Sequence, residues 1–302
     1  MTRSKFETGA VRIGIAPIGW TNDDWPELGG DIPLEQCLEE MAQAGYEGCE
    51  LGGKFPRDPE LLHETLVPFG LSIASGWLSV WFTDENRIEE TINAYRAHCA
   101  LLKAMRASVV VICECGGAVQ QKSLPVSAAR PRFDEEAWRL LVGGLHRIGE
   151  IGRAEGMTNV YHPHMGTGVQ SAEDIDRLMS ATDPDLVSLL LDTGHATFDG
   201  HDPADVIRNH GPRIRHVHLK DVRSEIAREA LMGGWSFEQA VRAGVFTVPG
   251  DGDVDMKGVL EDLAAVHYRG WMVVEAEQDP RLAPPLEYAK MGREFIRSAS
   301  GL

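Results

Sequence analysis

Eight short apolar runs, each followed by an amphipathic helical stretch, recur in strict alternation along the chain. The runs are VRIGIA (11–16), GCEL (48–51), LSIASGW (71–77), SVVVIC (108–113), TNVYH (158–162), VSLLLD (187–192), RIRHVHLK (213–220) and WMVVEAE (271–277). Most are continuously hydrophobic rather than alternating, as strands covered on both faces are. Helical spacing of apolar residues follows at 33–45, 59–70, 84–106, 134–156, 171–181, 203–211, 256–268 and 284–298. For the first helix, Asp31 is a candidate cap, Pro33 falls near the first turn and Gly45 is the stop. Parallel strands need a helical crossover, so this order predicts a parallel sheet covered by helices. Eight units in 302 residues predict one α/β domain over 1–302, a (β/α)8 TIM barrel. The alternative is an open doubly wound sheet, but GIAPIGW (14–20) lacks its G-x-G-x-x-G turn.

A formal charge of −17 repels phosphate backbones and anionic lipid, so neither nucleic acid nor membrane is an expected partner. The cysteines at 37, 49, 99, 113 and 115 are odd in number and irregularly spaced, which predicts reduced thiols. With no signal-like apolar segment and no run of about 20 apolar residues, the expected location is cytoplasmic. Two loops, 19–31 and 221–255, are long enough to be walls or lids; the second is expected to hold a short helix near 236–243. Its segment GDGDVD (250–255) lacks the spacing of a calcium loop and reads as a turn near the site.

In a barrel of this kind the C-terminal strand ends converge on one site. Those ends supply Glu50 and Lys54, Ser75 and Trp77, Glu114, His162 and His164, Asp192 and His195, His216, His218 and Lys220, and Glu275 and Glu277. A carboxylate closing a dry strand such as LLLD needs a partner or a metal. Mixed imidazole and carboxylate donors suit a divalent ion such as Mn²⁺, Co²⁺, Zn²⁺ or Fe²⁺. A single strand-end Asp can equally be a helix cap, and Glu277 a rim ion pair; four consecutive ligand-bearing ends favour the metal. His216 and His218 share a strand face, so at most one of them is expected to be a ligand.

VRIGIAPIGWTNDDWPELGG (11–30), GYEGCELGGKFP (45–56), VYHPHMGTGVQ (160–170), LLLDTGHATFDGHDP (189–203), RIRHVHLKDVR (213–223), FTVPGDGDVD (246–255) and GWMVVEAEQDP (270–280) resemble the myo-inosose-2 dehydratase family of xylose-isomerase-like barrels. The resemblance runs over 11–298. It implies loss of water from 2-keto-myo-inositol, a small neutral keto-polyol, giving a trihydroxycyclohexane-1,2-dione. It also implies one divalent ion, Mn²⁺ or Co²⁺, with Asp192, His218 and Glu275 as ligands. Where the related isomerases have a fourth ligand, Glu, this chain has His162, and whether His162 or His164 binds the metal stays open. His195, Glu50 and His164 are the expected acid–base groups. Trp20, Asn22, Lys54, Trp77 and Lys220 are the expected substrate contacts, joined by Asp23 and Asp24. Glutathione is a candidate co-reactant and a homo-oligomer the expectation by analogy. The competing readings are a keto-sugar isomerase or epimerase, an abasic-site endonuclease disfavoured by charge, and a non-catalytic sugar-binding barrel.

Overall fold

The computed structural model describes residues 5–302. Eight parallel strands close into a barrel: β1 (Val11–Ile15), β2 (Gly48–Leu51), β3 (Ser72–Val80), β4 (Val109–Glu114), β5 (Thr158–Tyr161), β6 (Ser188–Asp192), β7 (Ile214–Leu219) and, after a two-stranded insertion, β10 (Gly270–Val274). Ten strands are numbered in chain order; the insertion's β8 (Asp221–Val222) and β9 (Phe246–Thr247) pair antiparallel. Closure comes from β1, which pairs with β10 from Val11↔Gly270 to Ile15↔Val274 and with β2 at Gly14↔Gly48. Gly48 is needed there: a Cβ would stand 2.5 Å from the Ser72 carbonyl and 2.6 Å from the Trp271 ring.

The seven crossovers contain α1 (Leu34–Gln43), α2 (Pro59–Leu66), α3 (Ile88–Ala104), α4 (Glu135–Glu155), α5 (Ala172–Ala181), α6 (Thr193–Asp199) with α7 (Pro203–His210), and α8 (Ser224–Gly233) with α9 (Phe237–Arg242) and α10 (Met256–Ala265); α11 (Pro285–Ser300) follows the last strand. Side-chain caps set many of these starts, including Asp134 on Ala137 N–H and the reciprocal Ser171–Asp174 capping box. Asp31 is not one of them. α1 begins after Pro33, which itself holds the extended N-cap conformation and leaves Asp31 two residues outside the helix.

Three features go beyond the sequence reading. β3 extends to Val80 because β4 offers partners as far as Val80↔Glu114. The 221–255 insertion carries α8 as well as the expected α9. GDGDVD does not line the cavity described below; it folds around Asp221, whose carboxylate accepts the N–H groups of Gly250 and Val254 at 2.9 Å. Trp25 and Leu28 from the 19–31 loop, Val126 from the segment after β4, and Phe237 and Phe246 from the insertion form a second apolar cluster. That cluster joins the loops that follow β1, β4 and β7. All five cysteines are free, and among the described residues no helix is long and apolar enough to cross a membrane.

Candidate metal centre and active site

β6 delivers Asp192 to the mouth of the barrel, and its two carboxylate oxygens differ. Oδ1 accepts the N–H groups of Gly194 and His195, both at 2.8 Å, and so caps α6. Oδ2 is buried without a hydrogen-bond partner among the described residues. It faces His218 Nδ1 at 3.4 Å, Lys220 Nζ at 3.4 Å and His162 Nε2 at 3.6 Å. His218 Nδ1 also lacks hydrogen-bond geometry, although Glu275 Oε2 is 2.8 Å away. A buried carboxylate oxygen and a buried ring nitrogen left without hydrogen bonds, converging with a second carboxylate, are what a cation-binding site requires. Asp192, His218 and Glu275 therefore fit a divalent ion, with Asp192 held in place by the two N–H bonds of its cap.

Hydrogen bonds assign the imidazole tautomers. His162 Nδ1 lies 2.7 Å from the Pro163 carbonyl, and His164 Nδ1 lies 2.8 Å from that of Met165. A carbonyl only accepts, so each Nδ1 carries the proton and each Nε2 keeps its lone pair. Burial keeps both rings neutral, pushing His162 down to about 4 and His164 down to about 3. His218 Nε2 lies 3.0 Å from Glu50 Oε1, which also meets His216 Nε2 at 3.0 Å and accepts from Ser75 Oγ. Glu50 thus orients His218 from behind. Burial opposes the ionisation of Asp192 and Glu275; Lys220 and His218 overcome it and hold both carboxyls below the usual range.

A cavity of about 330 Å³ opens beside this cluster, with Glu50, His162, His164, His218, Glu275 and Glu277 on its floor. Its walls are Thr21, Asp23, Asp24, Arg57, Trp77, Ser79, Gln120 and Gln121. Trp77 stands edge-on to His162 and His164, with ring centres 5.5 and 5.8 Å apart. Gln121 donates to Asp24 at 2.6 Å and ties two wall loops together.

Five expected contacts do not line this cavity. Trp20 is 1% exposed and packs in the core, its indole N–H on Glu40. Asn22 shapes its own loop, its Oδ1 accepting from the N–H groups of Asp24 and Trp25. Lys54 donates to the Gly30 carbonyl at 2.9 Å and fastens loop to loop. His195 lies beneath His164, ring centres 3.8 Å apart. Lys220 is wholly buried behind the carboxylates. Glu114 also turns away, accepting the Phe82 and Gly116 N–H groups. Arg57, Ser79, Gln120 and Gln121 were not anticipated; the glutamines lie in the 115–134 connection, whose length alone could have marked it as a wall. Glu277, a strand-end group whose competing reading is a rim ion pair, sits on the cavity floor, and burial pushes its carboxyl up to about 7 against the pull of Lys220.

Comparison with known proteins agrees with this architecture. The family model described as xylose isomerase-like TIM barrel matches residues 38–299. Inosose dehydratase of Geobacillus thermodenitrificans is 54% identical over 98% of this chain and 100% of its own length. That of Clostridium tetani is 48% identical over the same shares. Among solved structures, the IolI protein, crystallised with a zinc atom bound, superposes with a TM-score of 0.71 at 17% identity, covering 96% of this chain and 98% of its own. D-allulose 3-epimerase from Methylomonas sp. superposes at 0.70 with 17% identity, covering 98% and 100%; these two show the fold. The chain belongs to the xylose isomerase-like TIM barrel family and, within it, to the inosose dehydratases.

Proposed function

We propose that the chain removes water from 2-keto-myo-inositol to give a trihydroxycyclohexane-1,2-dione, at a single divalent ion held by Asp192, His218, Glu275 and His162. Its 54% identity to an inosose dehydratase over 98% of the chain carries the reaction class. The orphaned Asp192 Oδ2 and His218 Nδ1 support the ion. Mn²⁺ or Co²⁺ suits a set of two imidazoles and two carboxylates. The strand-5 ligand is His162 rather than His164, because its Nε2 lone pair lies 3.6 Å from Asp192 Oδ2. A divalent ion there supplies Lewis acidity toward a ketone oxygen.

The chain's own groups supply the rest. The carbon next to the ketone must lose a proton, the β-hydroxyl must leave with one, and the resulting enol tautomerises to the dione. His164 is the base: it lines the cavity, is neutral, and keeps Nε2 free because Nδ1 is committed to the Met165 carbonyl. His195 positions it from below by ring contact. Glu277, with its carboxyl raised to about 7, is the acid for the departing hydroxyl. Trp77 gives the ring a flat face, and Asp23, Arg57, Ser79, Gln120 and Gln121 offer hydrogen bonds to a neutral polyol. Glu50, although it lines the cavity, acts through His218.

Asp192→Asn and Glu275→Gln test the centre. Each should lose stoichiometric metal and dione production together while keeping the circular dichroism of the wild type. Full metal content in either variant would remove that residue from the ligand set.

A further inference from the structure

Lys220 is a large cation placed where a charge is costly, and its surroundings are built to keep it there. It is 0% exposed. Its Nζ meets Glu275 Oε1 at 2.6 Å, Glu277 Oε1 at 2.9 Å and His195 Nε2 at 3.1 Å. The stem runs over Gly194, where a Cβ would stand 2.5 Å from Lys220 Cγ. The ammonium lies 4.7 Å from the centre of the Phe246 ring, and Thr193 Oγ1 clasps the Lys220 backbone N–H and carbonyl.

Around this ammonium the protein holds more metal-ligating atoms than one ion uses. Besides Asp192, His218 and Glu275, the side chains of His164, His195 and Glu277 bring one ligand atom each to within 4.8 Å of one another. Both His195 and Glu277 from that second triad are already bonded to Lys220 Nζ. We infer that the Lys220 ammonium occupies a second cation position and limits the centre to one divalent ion, leaving His164 free of metal. Asp192 and Glu275 balance one divalent ion, and Glu277 already spends Oε1 on the ammonium. A second ion on His195 and Glu277 would displace the ammonium's own bonds and sit in contact with its charge. It would also consume the His164 lone pair on which proton abstraction depends.

This inference rests on the metal centre proposed above, and metal counting separates the two. Wild type, Lys220→Met and Lys220→Gln are loaded with Mn²⁺, freed of excess, and assayed by elemental analysis and electron paramagnetic resonance. Methionine keeps the stem without the charge; glutamine keeps hydrogen-bonding capacity, so a folding defect in one does not remove the test. The wild type should hold one ion with an isolated Mn²⁺ signal even after loading from a large excess. The variants should hold two, with the broadened signal of a coupled pair, as in dinuclear sites about 3.5–4 Å apart. Adding Glu277→Gln to Lys220→Met should return the count to one. A wild type that takes two ions, or folded variants that stay at one, would overturn the exclusion role alone. A wild type that takes none would overturn the metal centre itself.

Discussion

His162 and His164 leave the same strand end two residues apart, and their surroundings give them different parts. Each spends Nδ1 on a backbone carbonyl, but His162 Nε2 turns to Asp192 while His164 packs at a tilt against His195 and lines the cavity. In the proposed reaction the first is a ligand and the second a base. His164→Gln should therefore keep its metal and lose about 10²–10⁴-fold in kcat, the usual contribution of a general base. A fall below fivefold with metal retained would take proton abstraction away from His164. The identity of these residues was legible in sequence because an apolar run ending in Asp, His or Glu has one place to go in a parallel barrel. Their division of labour was not, since it depends on which carbonyl each Nδ1 reaches.

At the scale of elements, strand ends were legible and loop directions were not. Trp20, Asn22 and Lys54 lie in the loops that follow β1 and β2, yet they pack against core and loop backbone. Period-2 and period-3.6 patterns report faces of strands and helices; a loop has no such period to say which side chain turns inward. Arg57, Gln120 and Gln121 escaped notice for the same reason. Glu114 shows how a strand-end carboxylate can serve an element instead of a site. It ties the end of β4 to the turn after β3 through the Phe82 N–H at 2.8 Å and the Thr83 hydroxyl at 2.9 Å. Burial nevertheless raises its carboxyl from the ordinary 4.5 to about 7. A raised pKa contributes stability that is complete below the ordinary value and is lost as pH climbs through about 7. Glu114→Gln cannot ionise but weakens one of those bonds, so it should be less stable than wild type at acid pH. That gap in Tm should narrow as pH rises from about 5 to about 8. A gap that widens over the same range would show that the three donors, not burial, dominate Glu114.

The whole molecule divides its tasks between two ends of one barrel. The strands and outer helices form one continuous core, while loops after β1, β4 and β7 share a separate apolar cluster at the site's end. Dry packing on the outside allows four carboxylates, five imidazoles and one ammonium to be held together inside, where unpaired charge would be prohibitive. The fold is common to isomerases, epimerases and dehydratases, so it does not choose among them; in the proposed reaction that choice falls to the strand-5 histidine and the lysine-bound glutamate. An epimerising centre would return an isomeric keto-polyol, whereas the centre proposed here expels the β-hydroxyl. The direct test is proton NMR of 2-keto-myo-inositol incubated with the Mn²⁺-loaded protein in heavy water. One trihydroxycyclohexane-1,2-dione should form for each keto-inositol consumed. Accumulation of an isomeric keto-inositol carrying deuterium next to the ketone, with no dione, would contradict the account.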